Sequence, residues 1–320
     1  MKRIGAILFT AFFATTLLSS QEAAQPGLQD AFQLNRQGRF AELVEAAQPL
    51  ANDKSLSPLV RGQAAMLVGL GKHQVGKFQE SAAAYEQSLR LLGSSPQYAG
   101  YYAATLIAYG TLYHDMGRID DAQQLQGKAL SIYEKTTDHT GIAMACKSLA
   151  SIALAGGHKS EGRKFLERAA NEAKLSAHLN PDFFASLYSM QGKLAELEKK
   201  HAVAVAGYRR ALNVWEAEHG DRHVLVGWGY ILLGKASAEA GQTDAALEQM
   251  RKGLSILGDT VGPVNVHYLA AELAYAHVLD AAGSHSQADD LAKKDQGLLK
   301  NFYSGQCLQC SVSVAALALH

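Results

Sequence analysis

The amino-acid sequence predicts an all-α protein built from about seven antiparallel helix pairs stacked as a solenoid. Short turns marked by Gly or Lys recur every 38 to 42 residues, and small and large residues keep fixed positions around them. No segment alternates apolar and polar residues for long enough to indicate a sheet. With 320 residues, of which 48% are hydrophobic and 19% charged, the chain is long and apolar enough to bury a large core.

The repeat is defined by its turns and by the small residues at fixed distances from them. The turns centre on Gly38, Gly76, Gly117, Gly157, Lys199, Gly241 and Gly283. Small residues seven positions before and five positions after a turn would let the two helices of a pair approach closely, while bulky residues nine positions after it fill the gaps. The residues predicted to serve this packing are Gly69, Gly110, Gly192, Gly234, Ala122, Ala204, Ala246 and Ala288.

Helix starts carry a second, independent signal. Proline follows a capping side chain at Ser57-Pro58, Ser95-Pro96 and Asn180-Pro181, the arrangement typical of a first helical turn. Gly262-Pro263 is expected to open the last pair in the same place. Pro49 falls where the second helix of the first pair should run, so this helix is expected to be irregular.

These residues resemble the tetratricopeptide repeat family, whose pattern is W-x2-L-G-x2-Y…A-x3-F. The clearest copies are Leu106-x2-Tyr109-Gly110-x2-Tyr113 with Ala122-x3-Gln126, Tyr230-x2-Leu233-Gly234, and Tyr188-x2-Gln191-Gly192. The period near 42 is similar to that of the longer repeats in kinesin light chains. The resemblance implies a right-handed superhelix and a non-enzymatic role in protein–protein interaction.

The chain ends differ in composition from the repeats. A basic start, Met1-Lys2-Arg3, precedes the apolar run Ile4 to Leu18 and a small polar stretch, which is typical of a secretory signal peptide. The predicted organisation is a signal peptide over 1–24, repeats over 25–303 and a tail over 304–320. The protein is therefore expected to be exported, periplasmic or secreted, with no membrane span in the mature chain. An uncleaved N-terminal anchor is the alternative.

No pattern of residues indicates catalysis or a cofactor. Thirty basic and 30 acidic residues balance, which argues against a nucleic-acid-binding protein. Cys307 and Cys310 form a lone C-x2-C motif, interpreted as a local disulfide or exposed thiols, with a metal site or a redox pair as alternatives. His219 and His223 are predicted to be a solvated pair in a loop; the alternative is a shared metal ion, for which the segment would have to be helical.

The predicted binding site lies on the first helix of each pair. By analogy with the family, residues six and ten positions before each turn face the concave groove. Basic residues recur there beside apolar ones, in a pattern that suits an extended peptide bearing acidic side chains or a terminal carboxylate. The alternative is ordinary solvated lysines next to Glu196, Glu239 and Asp280. The candidate groove residues are Lys147, Lys193, Lys235, His277, Met66, Ile107, Trp228 and Ile231.

Three hypotheses for the function follow. The leading one is an exported, non-enzymatic scaffold that binds an unidentified protein or peptide segment in the groove. The alternative is a structural component of an envelope assembly that associates through its end or convex surfaces, and oligomerisation stays open. The third is an enzyme or metal carrier that uses the cysteine tail.

Overall fold

The computed structural model describes residues 26–93 and 95–306, and all the long regular elements in this part of the chain are α-helices. This confirms the all-α prediction. Residues 1–24, Cys307 and Cys310 lie outside the described residues. The helices are α1 Pro26–Arg36, α2 Phe40–Asn52, α3 Pro58–Gln74, α4 Phe78–Leu92, α5 Ala99–Asp115, α6 Ile119–Thr136, α7 His139–Ala155, α8 Lys159–Leu175, α9 Pro181–Leu197, α10 His201–His219, α11 Val224–Glu239, α12 Thr243–Thr260, α13 Val266–Ala281 and α14 His285–Gln306.

The helices form two compact units, each a run of packed pairs. The N-terminal unit contains the described residues up to Ile152 together with Glu167–Leu179, and the C-terminal unit contains Ala153–Leu166 and the chain from Asn180. In the N-terminal unit each helix from α1 to α5 packs on the next, and the first helices of successive pairs also meet, α1 on α3 and α3 on α5. The C-terminal unit repeats this arrangement from α9 to α14, with α11 on α13.

Every turn inside a pair has the same backbone structure. The turn residue has positive φ in all seven cases, from 59° at Lys199 to 85° at Gly283. The amide of the following residue donates to a carbonyl five residues back, as Lys77 does to Lys72 at 2.8 Å, which satisfies a free carbonyl at the helix end. The second helix then begins at once, so the second helices start 38 to 42 residues apart. The predicted repeat length near 42 is therefore confirmed.

Lys199 is the one turn residue of the seven that is not glycine, and its φ of 59° costs an L-amino acid about 1 kcal/mol. We expect Lys199→Gly to raise the free energy of unfolding by about 0.5–1 kcal/mol, measured by urea denaturation. Gly241→Lys is the matched control, because Gly241 has φ of 77° and no atom lies within 4 Å of the place where a Cβ would stand. The free energy of unfolding of this control should fall by a similar amount. If the Lys199→Gly protein is no more stable than wild type, positive φ at Lys199 carries no measurable cost in free energy.

The glycines seven positions before the turns lie against the large residues of the partner helix. A Cβ added at Gly69 would lie 2.6 Å from the Tyr85 ring, and one at Gly234 would lie 2.4 Å from Cγ of Met250. Gly110 and Gly192 face the equivalent residues of their own pairs in the same way. Five positions after the turns, Ala122, Ala204, Ala246 and Ala288 are buried.

The helix starts agree with the sequence in two cases and differ in two. Ser57 accepts a hydrogen bond from the Val60 amide and Asn180 from the Phe183 amide, as N-caps do. Pro96 instead begins a short 3-10 turn, Pro96–Tyr98, before α5. The Gly262-Pro263 prediction was wrong, because α13 begins at Val266 and Asn265 caps it by accepting from the His267 amide at 2.8 Å.

Helix α2 runs through Pro49 to Asn52, so the expected irregularity is small. Pro49 is exposed, where water can satisfy the carbonyl that the missing amide leaves without a partner.

Candidate functional site: charged residues on the first helices

Two of the predicted groove lysines share one buried carboxylate. Lys193 on α9 places Nζ 2.9 Å from Oε2 of Glu196, one turn further along the same helix. Lys235 on α11, one repeat later, approaches both Glu196 oxygens at 3.3 and 3.4 Å. The Glu196 side chain is 5% exposed, whereas those of Lys193 and Lys235 are 17% and 20% exposed. The cluster therefore joins two successive first helices and leaves part of each lysine in contact with solvent.

The two ammonium groups control the ionisation of Glu196. Burial alone would favour the neutral acid, but the charges of Lys235 and Lys193 outweigh it and hold the pKa of the Glu196 carboxyl below its usual value. Tyr208 on α10 is a buried neighbour of Glu196. Burial, together with the Glu196 charge, raises the pKa of its hydroxyl well above the usual value. At neutral pH the cluster thus contains two positive charges around one negative charge.

Further charged groups border the cluster. Lys235 also lies 3.7 Å from a carboxylate oxygen of Glu239, and His201 lies 3.8 Å from the other oxygen. Burial lowers the pKa of His277 on α13, and the charge of Lys235 acts in the same direction. His277 is therefore neutral at pH 7. The alternative interpretation placed solvated lysines next to Glu196, Glu239 and Asp280. Glu196 and Glu239 do pair with Lys235, whereas Asp280 pairs with His285, and Lys193 and Lys235 are largely buried rather than fully solvated.

The other predicted groove residues lie deeper. Lys147 is buried on α7 in the N-terminal unit. The four apolar candidates are each at most 3% exposed, so a ligand reaches them only if neighbouring side chains move; these are Met66, Ile107, Trp228 and Ile231. Their role in binding stays a prediction.

A histidine pair that the sequence predicts to be solvated is largely shielded from solvent, with His223 buried and His219 11% exposed. His219 is the last residue of α10, and its Nε2 lies 2.7 Å from Oδ1 of Asp182 on α9. Its ring stacks on that of His223 at 4.2 Å between centroids, and His223 caps α11 by accepting from the Leu225 amide. The prediction of a solvated loop pair was wrong, because α10 continues to His219 and packs on α9.

A second buried cluster, which sequence reasoning missed, joins α3 to α5 in the N-terminal unit. Asp115 lies 2.9 Å from Nε2 of His73 and 3.4 Å from Nδ1 of His114, and all three side chains are at most 3% exposed. Burial disfavours the carboxylate, but hydrogen bonds from both histidines hold the pKa of Asp115 below its usual value. With so little surface, the cluster holds the two helices together rather than contacting a ligand.

The described residues contain neither a metal-binding group nor a membrane-spanning helix. In this part of the chain, no group of three or more His, Cys, Asp or Glu side chains is placed to hold a metal ion. Of the helices over 26–93 and 95–306, none has the length and hydrophobicity needed to cross a bilayer. Among the described residues, Cys146 on α7 is a free, buried cysteine.

Solved structures share this arrangement of helices. A Rap protein in complex with Competence and Sporulation Factor is 13% identical, covers 94% of this chain and 90% of its own, and has a TM-score of 0.62. Aspartyl phosphate phosphatase F from Bacillus subtilis is 13% identical over 96% of this chain and 99% of its own, with a TM-score of 0.50. BtubC (BKLC) from P. vanneervenii is 16% identical over 72% and 91%, also with a TM-score of 0.50. At these identities the similarity shows the fold alone.

Comparison at the level of sequence identifies the repeats themselves. No curated protein matches the sequence significantly. A family model described as tetratricopeptide repeat matches residues 60–135, 101–171 and 183–259, which together make up more than half of the chain. The chain therefore belongs to the tetratricopeptide repeat family.

Proposed function

We propose that the protein is an exported, non-enzymatic scaffold that binds a peptide or protein segment through the first helices of the C-terminal unit. The observation that carries this proposal is the pair of partly exposed lysines held on one buried carboxylate, Lys193 and Lys235 on Glu196. The ligand would carry acidic side chains or a free terminal carboxylate. Export is supported by the signal-peptide pattern of residues 1–24.

The cluster is suited to a carboxylate because its positive charges are already positioned. Each ammonium group has three N–H donors, and Glu196 uses only part of this capacity. Because Glu196 is buried within the helix pairs, it stays in place when a ligand binds and fixes both lysines beforehand. A ligand carboxylate would then gain charge-assisted hydrogen bonds with little loss of side-chain entropy.

The fold supports the general class of function. The Rap protein of similar fold was solved in complex with Competence and Sporulation Factor, which shows that this architecture can bind a separate molecule. Stacked helix pairs present extended surfaces for such partners. The tetratricopeptide repeat family and the absence of a catalytic motif in the sequence favour a scaffold over an enzyme.

Replacing Glu196 provides the sharpest test. We expect Glu196→Gln to tighten the binding of acidic peptides about three- to tenfold at low salt, because it removes the one negative charge between the lysines and keeps the side-chain shape. The measurement is fluorescence anisotropy with peptides selected by the full chain from an array that varies acidic content and the free C-terminal carboxylate.

A neutral variant completes the test. Replacing Lys193, Glu196 and Lys235 together by Gln leaves no buried unpaired charge and should abolish this binding. Lys164→Gln with Lys199→Gln, two exposed lysines of the same unit, is the charge control and should retain it. Peptides that bind the neutral variant as well as wild type would place the site elsewhere.

A further inference from the structure

Three second helices of the C-terminal unit carry a pair of basic residues at the same repeat position, ten and eleven residues after the turn. We name these six residues the second-helix basic strip: Arg209, Arg210, Arg251, Lys252, Lys293 and Lys294. All six are exposed. The equivalent positions in α4, α6 and α8 hold Glu86-Gln87, Gly127-Lys128 and Glu167-Arg168, so the paired arrangement belongs to α10, α12 and α14.

The second residue of each pair is held by the first helix of its own repeat. The Arg210 guanidinium lies 3.7 Å from the centre of the Tyr188 ring. Lys252 lies 4.2 Å from the centre of the Tyr230 ring, and its Nζ donates to the phenol oxygen at 2.6 Å. Lys294 donates to Glu272 at 2.8 Å.

Tyr188, Tyr230 and Glu272 all stand eleven positions before their turns, so the three contacts are structural equivalents. Each cationic group is therefore held at the same place in its repeat before any partner arrives, which reduces the entropy lost on binding.

The strip places six basic residues at equivalent, exposed positions on a chain with equal numbers of basic and acidic residues. Among the described residues, Lys294 is the one member of the strip that forms an ion pair within 4 Å. The first residue of each pair, Arg209, Arg251 or Lys293, points its charge into solvent from an exposed position. Five positive charges are thus available to a partner of opposite charge.

Acidic residues interrupt the strip and decide what kind of partner fits it. Glu248 and Asp290 are exposed one helical turn before the pairs on α12 and α14, and Glu216 accepts a hydrogen bond from Tyr230 at 2.6 Å. A uniformly negative surface such as an anionic bilayer would meet these carboxylates as well as the cations. A polypeptide can space its own carboxylates to face the basic pairs and avoid the acids.

We propose that the second-helix basic strip is a docking surface for an acidic polypeptide segment. It lies on α10, α12 and α14, whereas the proposed peptide site lies on α9 and α11, so the two proposals stand or fall separately. The contacts would be carboxylate to guanidinium and carboxylate to ammonium, and therefore sensitive to salt.

The test measures binding of labelled poly-L-glutamate to the full chain by fluorescence anisotropy at low and at physiological salt. The variant reverses the charge of the first residue of each pair, which is not the one held by Tyr188, Tyr230 or Glu272. Its substitutions are Arg209→Glu, Arg251→Glu and Lys293→Glu. We expect its affinity to fall at least tenfold, while the thermal melting curve stays within about 2 °C of wild type.

The matched control makes the same change of net charge in the N-terminal unit at three exposed residues, Arg36→Glu, Lys54→Glu and Lys135→Glu. It should retain binding within about twofold. Equal loss in both variants, or no binding by wild type, would overturn the proposal.

A parallel arm uses vesicles of phosphatidylcholine and phosphatidylglycerol in a three-to-one mixture. Vesicle binding that the strip variant loses and the control keeps would identify a membrane surface instead of a polypeptide and would also overturn the proposal. The neutral variant, in which Lys193, Glu196 and Lys235 are all replaced by Gln, lacks the proposed peptide site and should still bind poly-L-glutamate. Adding the strip substitutions to it should lower that binding at least tenfold, which separates this surface from the peptide site.

Discussion

Gly207→Ala is expected to lower the free energy of unfolding by about 1–3 kcal/mol, even though alanine is the better helix former. A Cβ at Gly207 on α10 would lie 2.9 Å from both the Cα and the N of Gly192 on α9, and 3.0 Å from the carbonyl oxygen of Tyr188. All three obstacles are backbone atoms, which cannot rotate away as a side chain can. The two helices would have to separate, and their packing would loosen along its length.

The matched control for this prediction is Gly127→Ala. Gly127 lies in the middle of α6, and a Cβ there would meet nothing within 4 Å. The control should therefore gain up to about 1 kcal/mol from helix propensity. Urea denaturation of both variants measures the difference, and a stabilised Gly207→Ala protein would show that α9 and α10 do not approach so closely.

The helices and their turns are predictable from sequence because their causes are local. Positive φ after a helix favours glycine, so the turns are visible at a regular period, and even Lys199 is located by its distance from its neighbours. Gly207 stands at no repeated small-residue position. Its approach to Gly192 depends on how two helices cross, which a single sequence does not contain.

The candidate site is only partly predictable for the same reason. Lys193 and Glu196 are three residues apart on one helix, so their pairing is readable from spacing. Lys235 joins them from 39 residues away, because successive first helices pack together. The sequence places His219 in a loop because its pattern ends α10 too early, and helix boundaries depend on tertiary contacts such as that with Asp182.

Exposure separates the two basic surfaces more clearly than sequence does. Lysines on the first helices and basic pairs on the second helices recur with the same period of 42 residues. Lys193 and Lys235 are mostly buried against a carboxylate, whereas Arg209 and Arg251 are exposed. Periodicity identifies which residues are equivalent, and burial then shows which basic groups are held on a buried carboxylate and which are exposed to solvent.

The last helix pair should lose stability as the pH rises from about 4 to about 7, because it buries two carboxyl groups beside one lysine. Asp295 on α14 has no exposed side-chain surface, and Glu272 on α13 is close enough to interact with it. Burial, together with the Glu272 charge, raises the pKa of Asp295 to about 7, and Lys294 at 3.5 Å offsets this only in part. Tyr268, which donates to Glu272 at 3.3 Å, completes the group.

The sign of the effect follows from proton binding. The unfolded chain releases the Asp295 proton near pH 4, whereas the folded chain keeps it until about pH 7. Between these values the folded state binds more protons than the unfolded state, so the free energy of unfolding falls as the pH rises. Above pH 7 the folded state bears the full cost of a buried carboxylate next to a second one.

Asp295→Asn removes this cost because the amide is neutral at every pH. We expect the gain in free energy of unfolding over wild type to be about 1–3 kcal/mol larger at pH 8 than at pH 5. Urea denaturation at the two pH values measures the change, and Asp290→Asn, on the exposed face of the same helix, controls for the loss of one negative charge. If the gain were equal at both pH values, the stabilisation would come from packing, and Asp295 would titrate in the normal range of an aspartate.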